Sequence, residues 1–111
     1  MTPETILSTT LGHISGLKSR SMFGGYGLYK DGIIVGMIVD GILYFKVGDT
    51  NRTDYEELGA KPFTYMHKDK GPVAMSYWEV PGSVQADPKL VEVWLEKSFA
   101  ISLAKKKLVA K

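Results

Sequence analysis

Apolar residues follow helical spacing in two stretches of the chain, one near each end. In the N-terminal stretch they form one stripe, made of Ile6, Leu7, Leu11, Ile14 and Leu17. Thr2 can cap this segment with Pro3 at its first position, so we predict a helix from Pro3 to Leu17. The C-terminal stretch has a broader stripe, made of Leu90, Val91, Trp94, Leu95, Phe99 and Ile101. Asp87 followed by Pro88 offers the same capping chemistry, which predicts a helix that begins at Pro88.

Between these helices the pattern changes to short β-strands separated by turn signals. The dipeptides Asp31-Gly32 and Asp40-Gly41 accept positive φ at both positions, as two-residue type I′ hairpins require. They therefore predict an antiparallel meander of three strands. The predicted strands run from Ser21 to Lys30, from Ile33 to Val39 and from Ile42 to Val47.

The second half of the chain predicts one more helix and one more hairpin. Capping residues at 49–51 and a stop at Gly59 predict a helix from Arg52 to Leu58. Two further strands are predicted from Phe63 to His67 and from Val73 to Val80, with a turn between them. The predicted order is α-β-β-β-α-β-β-α. This order is typical of an α+β domain in which an antiparallel sheet packs against helices.

The strand predicted from Ile33 to Val39 is apolar on both faces. Regular alternation places Ile33, Val35, Met37 and Val39 on one face, and Ile34 and Ile38 on the other. A strand of this kind is normally covered on both sides. Helices of the same chain cover one side, and a second copy of the chain is a candidate for the other. We therefore expect a homodimer.

The run from Arg20 to Gly27 contains three glycines in four positions. Glycine is costly inside a strand, so the run predicts a bend or bulge in the first strand. Exposed backbone beside the planar donor group of Arg20 and nearby aromatic rings could recognise a protein partner. The predicted recognition edge consists of Arg20, Ser21, Phe23, Gly24, Gly25, Gly27, Tyr77 and Trp78. The alternative is that these residues only support the bend through internal hydrogen bonds.

Length and charge indicate one domain, residues 1–104, followed by a basic tail, residues 105–111. Residues 1–104 carry 10 Lys and Arg against 12 Asp and Glu, which argues against a nucleic-acid-binding face. The four lysines of the tail predict only weak, salt-sensitive binding of nucleic acid. The sequence has no cysteine, no apolar run of spanning length and no secretory signal pattern. These features predict a cytoplasmic protein with no membrane anchor.

The sequence lacks the residue patterns of known catalytic and cofactor sites. Gly24-Gly25-Tyr26-Gly27 is followed by strand and by no Lys-Ser or Lys-Thr pair, so it fits neither a phosphate loop nor a dinucleotide fingerprint. His13 and His67 have no second ligand-type residue at metal-binding spacing. We therefore predict no catalytic residues, no metal and no cofactor, and a protein that is not an enzyme.

Four short motifs follow one another between Ile14 and Phe99. They are Arg20-Ser21-Met22-Phe23-Gly24-Gly25-x-Gly27, Leu43-Tyr44-Phe45-Lys46, Pro62-Phe63-x-Tyr65 and Met75-Ser76-Tyr77-Trp78-x-Val80-Pro81. In this order and at this spacing the motifs resemble the N-terminal domain of the TfoX/Sxy competence regulators. The resemblance implies the α+β element order given above.

The same resemblance implies a regulatory function, namely positive control of natural competence genes together with the cyclic-AMP receptor protein. Full-length members carry a second, C-terminal domain of helix-hairpin-helix type, and this chain ends without one. The expected partner is therefore a protein, either the transcription machinery or the cyclic-AMP receptor protein, and DNA contacts are weak or indirect. The alternative is a small-molecule-binding domain or an enzyme with a pocket between helix and sheet. An apolar cavity with convergent polar groups would favour that alternative.

Overall fold

A six-stranded antiparallel sheet is the framework of the computed structural model, which describes residues 2–22 and 24–109, and side chains as far as Lys106. The strands are β1 (Leu17–Met22), β2 (Gly25–Lys30), β3 (Ile33–Val39), β4 (Ile42–Lys46), β5 (Pro62–His67) and β6 (Gly71–Glu79). Their order across the sheet is β1-β2-β3-β4-β6-β5, so β1 and β5 are the edge strands. The helices pack against this sheet, which confirms the predicted α+β class.

The helical segments lie at the beginning, in the middle and at the end of the chain. They are α1 (Pro3–Thr5), a π-helical turn (Ile6–Thr10), α2 (Arg52–Glu57), α3 (Gly82–Gln85) and α4 (Pro88–Val109). The hydroxyl of Thr2 accepts a hydrogen bond from the Thr5 N–H at 3.2 Å. The carboxylate of Asp87 accepts one from the Lys89 N–H at 3.0 Å. Both predicted N-caps are therefore confirmed, and α4 contacts β3 and β4.

The first predicted helix is wrong in its second half. The helical segment ends at Thr10. A Cβ at Gly12 would lie 2.2 Å from the Ser8 carbonyl oxygen, and Gly16 has a φ of +76°. Both positions require glycine and direct the chain away from a regular helix, so Leu17 begins β1. The apolar stripe still enters the core, through Ile6, Leu11 and Ile14.

The first predicted strand is two strands in the structure. β1 ends at Met22 and β2 begins at Gly25, and these two residues pair directly. Gly24 has a φ of +77°, a conformation that glycine adopts without strain and that suits a reversal of the chain. The sequence suggested a bend where the structure has a hairpin. The sheet consequently gains a strand, and α3 is an additional short helix.

Both Asp-Gly hairpins are confirmed. The φ angles are +50° at Asp31 and +81° at Gly32, and +52° at Asp40 and +75° at Gly41. Positive φ at both central positions is what a type I′ turn needs. The strand between the two turns, β3, has the predicted bounds.

A β-bulge changes which side chains of β3 enter the core. The pairing register between β2 and β3 shifts between Leu28 and Tyr29, so Val35 has no direct partner on β2. An additional residue reverses the alternation beyond it. Val35 and Ile38 are consequently both buried in the core on the helix side, although regular alternation placed them on opposite faces. Met37 faces away from that core, contrary to the prediction that it shares a face with Val35.

The core lies between the sheet and the helical segments. Its strand residues include Leu28, Val35, Ile38, Leu43 and Phe45, and its helical residues include Ile6, Tyr55, Val84, Val91, Trp94 and Leu95. The rings of Tyr55 and Trp94 have centroids 4.5 Å apart. This contact joins α2 to α4 on the side of the sheet that the helices cover.

Two glycines of β2 should differ sharply in their tolerance of alanine. A Cβ at Gly25 would lie 2.2 Å from the backbone carbonyl oxygen of Ile38, whereas a Cβ at Gly27 would meet only the side chains of Met22 and Tyr29, at 3.0 Å. Side chains can move but a paired strand cannot. We expect Gly25→Ala to lower the free energy of unfolding by at least about 3 kcal/mol, and Gly27→Ala by about 1 kcal/mol.

Urea unfolding of the two variants measures this difference. Gly82→Ala is the matched control, because nothing lies within 4 Å of its added Cβ. Equal losses for Gly25→Ala and Gly27→Ala would contradict the close approach of β2 and β3.

Candidate functional site

The helices pack on one face of the sheet, and we call the other face the open face. Directly paired residues of antiparallel strands share a face. Arg20 pairs with Gly27, Gly27 with Met37, and Met37 with Tyr44. These residues therefore lie together on the open face. Tyr29, two residues after Gly27, belongs to it as well.

Cationic side chains lie against tyrosine rings on the open face. The Arg20 guanidinium carbon is 5.8 Å from the Tyr29 ring centroid. The Lys46 ammonium is 4.9 Å from the Tyr77 ring centroid. Burial, with a smaller contribution from nearby Tyr29, raises the pKa of Tyr77 above its ordinary value. These contacts place two cations against aromatic rings on the open face.

Lys46 is the most unusual charged residue of this region. It is the last residue of β4 and is only 9% exposed. Its Nζ donates a hydrogen bond to the Ser76 hydroxyl at 2.6 Å. None of the ion pairs among the described residues includes it. Burial, and secondarily the positive charge of Lys105, lower the pKa of Lys46. Sequence reasoning missed this residue because it occupies a polar position of an alternating strand, where exposure is the usual expectation.

The structure divides the predicted recognition edge between two places. Arg20 and Ser21 are exposed on edge strand β1, whereas Tyr77 and Trp78 lie on β6. β2, β3 and β4 lie between β1 and β6, a separation of about 19 Å at usual strand spacing. Gly24, Gly25 and Gly27 lie beside β1, in or next to β2, and Phe23 lies outside the described residues.

Alternation also separates neighbouring members of the predicted edge. Arg20 and Tyr77 belong to the open face, while Ser21 and Trp78 point to the helix side. Trp78 packs against the core there, with its ring centroid 6.2 Å from that of Tyr55. Recognition by Arg20, Ser21 and the adjoining glycines stays a prediction.

The β5–β6 hairpin extends beyond the rest of the sheet. β4 pairs with β6 only at Tyr77, Trp78 and Glu79, so residues 71–75 of β6 have β5 as their one strand neighbour among the described residues. We call residues 64–75 the β5–β6 arm. Met66 is 75% exposed and Tyr65 is 40% exposed on this arm. Sequence reasoning predicted the hairpin but had no signal for its projection.

The two histidines make hydrogen bonds to the backbone. His13 Nε2 lies 2.9 Å from the Pro88 carbonyl oxygen. His67 Nδ1 accepts hydrogen bonds from the N–H groups of Asp69 and Lys70, at 3.1 and 3.2 Å. These contacts fix the start of α4 and the tip of the β5–β6 arm. Within residues 2–22 and 24–109, no helix has the length and apolar character needed to cross a membrane.

Comparison with known proteins agrees with the motifs in the sequence. The model of the TfoX N-terminal domain family matches residues 9–101 of this chain. A segment of 49 residues is 39% identical to part of the DNA transformation protein TfoX1 of Aliivibrio fischeri. That segment is 44% of this chain and 23% of the relative, so the match spans less than a quarter of the relative's length.

Replacing Lys46 by methionine should stabilise the fold. Methionine keeps the apolar stem and removes a buried charge for which the described residues offer no carboxylate, so we expect a gain of about 1 kcal/mol near neutral pH. Because the folded state lowers the pKa of Lys46, the charge costs stability below that lowered value. The cost disappears as the pH rises towards the unfolded value of 10.5.

Thermal unfolding of Lys46→Met and of the unmodified protein between pH 7 and pH 10 measures the effect. The gain should be constant below the lowered pKa of Lys46 and should shrink as the pH rises through that pKa towards 10.5. Lys89→Met, an exposed lysine of α4, is the control and should change stability little. A loss of stability for Lys46→Met at pH 7 would show that its contacts with Ser76 and Tyr77 outweigh its desolvation.

Proposed function

We propose, from the premise that this chain belongs to the TfoX N-terminal domain family, that it is a regulatory protein-interaction domain in the control of competence gene expression. Its relative in Aliivibrio fischeri is named as a DNA transformation protein. In this role the domain works in the bacterial cytoplasm as a transcriptional co-regulator. It contacts a protein that in turn contacts DNA.

The observation that carries this proposal is the exposed apolar surface of the β5–β6 arm. Met66 is the most exposed large apolar residue in the described part of the chain, and Tyr65 lies next to it. Methionine adapts its shape to a partner, and tyrosine is enriched at the centres of interfaces. The arm also offers the free backbone edge of β5, to which a partner strand can hydrogen-bond. Together these features support protein recognition.

Binding rather than catalysis is the role that we assign to the domain. His13 and His67 are both engaged with the backbone, which supports structural roles for them. The partner that we propose is the cyclic-AMP receptor protein or another component of the transcription machinery. Nucleic acid makes a minor contribution, through the lysines of the chain's C-terminal end, which include Lys105 and Lys106 of α4.

Substitution of Met66 should weaken partner binding. A true anchor contributes about 2 kcal/mol, so Met66→Ser should weaken binding to purified cyclic-AMP receptor protein by about 30-fold. If β1 belongs to the same interface, Arg20→Ala should weaken binding by a comparable factor. If Arg20 lies at the rim of the interface, the loss of affinity should be less than about fivefold. Biolayer interferometry with the domain immobilised measures both constants.

Two control variants separate recognition from general surface effects. Leu58→Ser replaces another exposed apolar residue, and Lys18→Ala replaces a cation next to Arg20 on β1; neither should change the affinity. If the cyclic-AMP receptor protein does not bind, co-purification from cells provides the partner to be tested. Binding that is insensitive to both Met66→Ser and Arg20→Ala would reject the proposed surfaces.

We also propose that the domain forms a homodimer. Ile34 and Val39 of β3 are only partly buried, which leaves apolar surface for a second copy. Met37 is already shielded within its own chain, at 4% exposure, so the contribution of β3 is smaller than its sequence implies. Multi-angle light scattering at micromolar concentration should give twice the monomer mass, and a monomer mass would reject the dimer.

A further inference from the structure

A cavity of about 580 Å³ lies where the last turns of α4 pass the end of the sheet. Its wall is mostly apolar and includes Tyr29, Ile33 and Ile34. This volume falls within the range of small-molecule sites, which is about 300–1,000 Å³. The cavity, which is open to solvent on one side, is therefore large enough to hold the apolar body of a small ligand.

Two polar groups in the cavity wall have unused hydrogen-bonding capacity. Ser102 is 7% exposed, and its hydroxyl has no hydrogen-bond partner in the described part of the chain. A buried hydroxyl without a partner is costly, so such groups usually serve a purpose. An ammonium group has three donors, and Lys46 uses one of them on Ser76. The Ser102 hydroxyl and the Lys46 ammonium can therefore both donate a hydrogen bond to a ligand without breaking an existing contact.

The described charged residues around the cavity have one sign. Lys46 lines its wall together with Lys105 and Lys106, and none of the described carboxylates does. The ion pairs found among the described residues involve other lysines and arginines. Three lysines without a carboxylate around a mostly apolar space favour a ligand with a negative group and an apolar body.

We infer that this cavity binds a small organic anion, a molecule in which one carboxylate or phosphate group is attached to an apolar body. The anionic group accepts hydrogen bonds from Lys46 Nζ and the Ser102 hydroxyl. The apolar body packs against Ile33, Ile34 and Tyr29, and Lys105 with Lys106 attracts the anion at the mouth. This binding site does not depend on the proposed interaction with a transcription protein.

A matched set of probes tests the requirement for both charge and apolar body. 4-Phenylbutyrate has both, its neutral amide lacks the charge, and inorganic phosphate lacks the apolar body. Methyl resonances of Ile33 and Ile34 in a ¹³C NMR titration report occupation of the cavity. We expect saturable shifts with 4-phenylbutyrate, and affinities at least about tenfold weaker for the amide and for phosphate. No saturable shift, or equal affinity of acid and amide, would overturn the inference.

Three variants identify the groups that hold the anion. Lys46→Met should weaken 4-phenylbutyrate binding at least about tenfold, and Ser102→Ala about threefold. Lys89→Met removes the same charge from the distant first turn of α4 and should leave the affinity unchanged. A thermal melt establishes that each variant is folded. Unchanged binding to folded Lys46→Met would overturn the assignment.

Other occupants of the cavity have distinct outcomes. A tetraglutamate peptide and a single-stranded oligonucleotide both carry negative charge without a matching apolar body. Neither should displace 4-phenylbutyrate at equal concentration. If either bound more tightly than 4-phenylbutyrate and lost affinity in Lys46→Met, the site would belong to an acidic protein segment or to nucleic acid, and the small-anion inference would be wrong. Loss of partner binding in Met66→Ser has no bearing on this result.

Discussion

The main-chain carbonyl of Lys46 connects three elements of the fold. It accepts a hydrogen bond from the Ser98 hydroxyl of α4 at 2.7 Å and one from Asn51 Nδ2, immediately before α2, at 3.2 Å. Asn51 also accepts one from the Gly48 N–H at 2.8 Å. Ser98 and Asn51 are almost completely buried, so water cannot replace either partner, and the loss of one would leave buried polar groups unsatisfied. The end of β4 is thereby fixed to both helices.

The Lys46 side chain makes separate contacts with β6. With its carbonyl held towards the helices, the side chain leaves β4 beside Ser76 and Tyr77 of β6. Burial then lowers its pKa and reduces the stability of the fold, a cost that proteins tolerate most often at functional positions.

Local signals in the sequence determined some elements fully and others only in part. Asp31-Gly32 and Asp40-Gly41 defined both hairpins because few dipeptides adopt positive φ at two positions. The cap at Asp87 likewise identified the start of α4. The bulge at Val35 was not predictable, because it depends on how β2 pairs with β3 and not on β3 alone. Lys46 and the β5–β6 arm were missed for a similar reason, since burial and projection are properties of the assembled sheet. The candidate site was therefore only partly accessible from sequence.

Lys46 lines the cavity and donates a hydrogen bond to Ser76, the residue that follows the β5–β6 arm. An anion that engages Lys46 shares its ammonium group with Ser76, because that group has donors that Ser76 does not use. A protein that shifts the arm moves Ser76 and so changes the environment of that ammonium. Thermodynamic linkage makes any such effect reciprocal. If the anion changes the affinity of the arm for a protein by a given factor, the protein changes the affinity of the cavity for the anion by the same factor. Under the two proposals made above, a small anion and a protein partner influence each other's binding through the contact between Lys46 and Ser76.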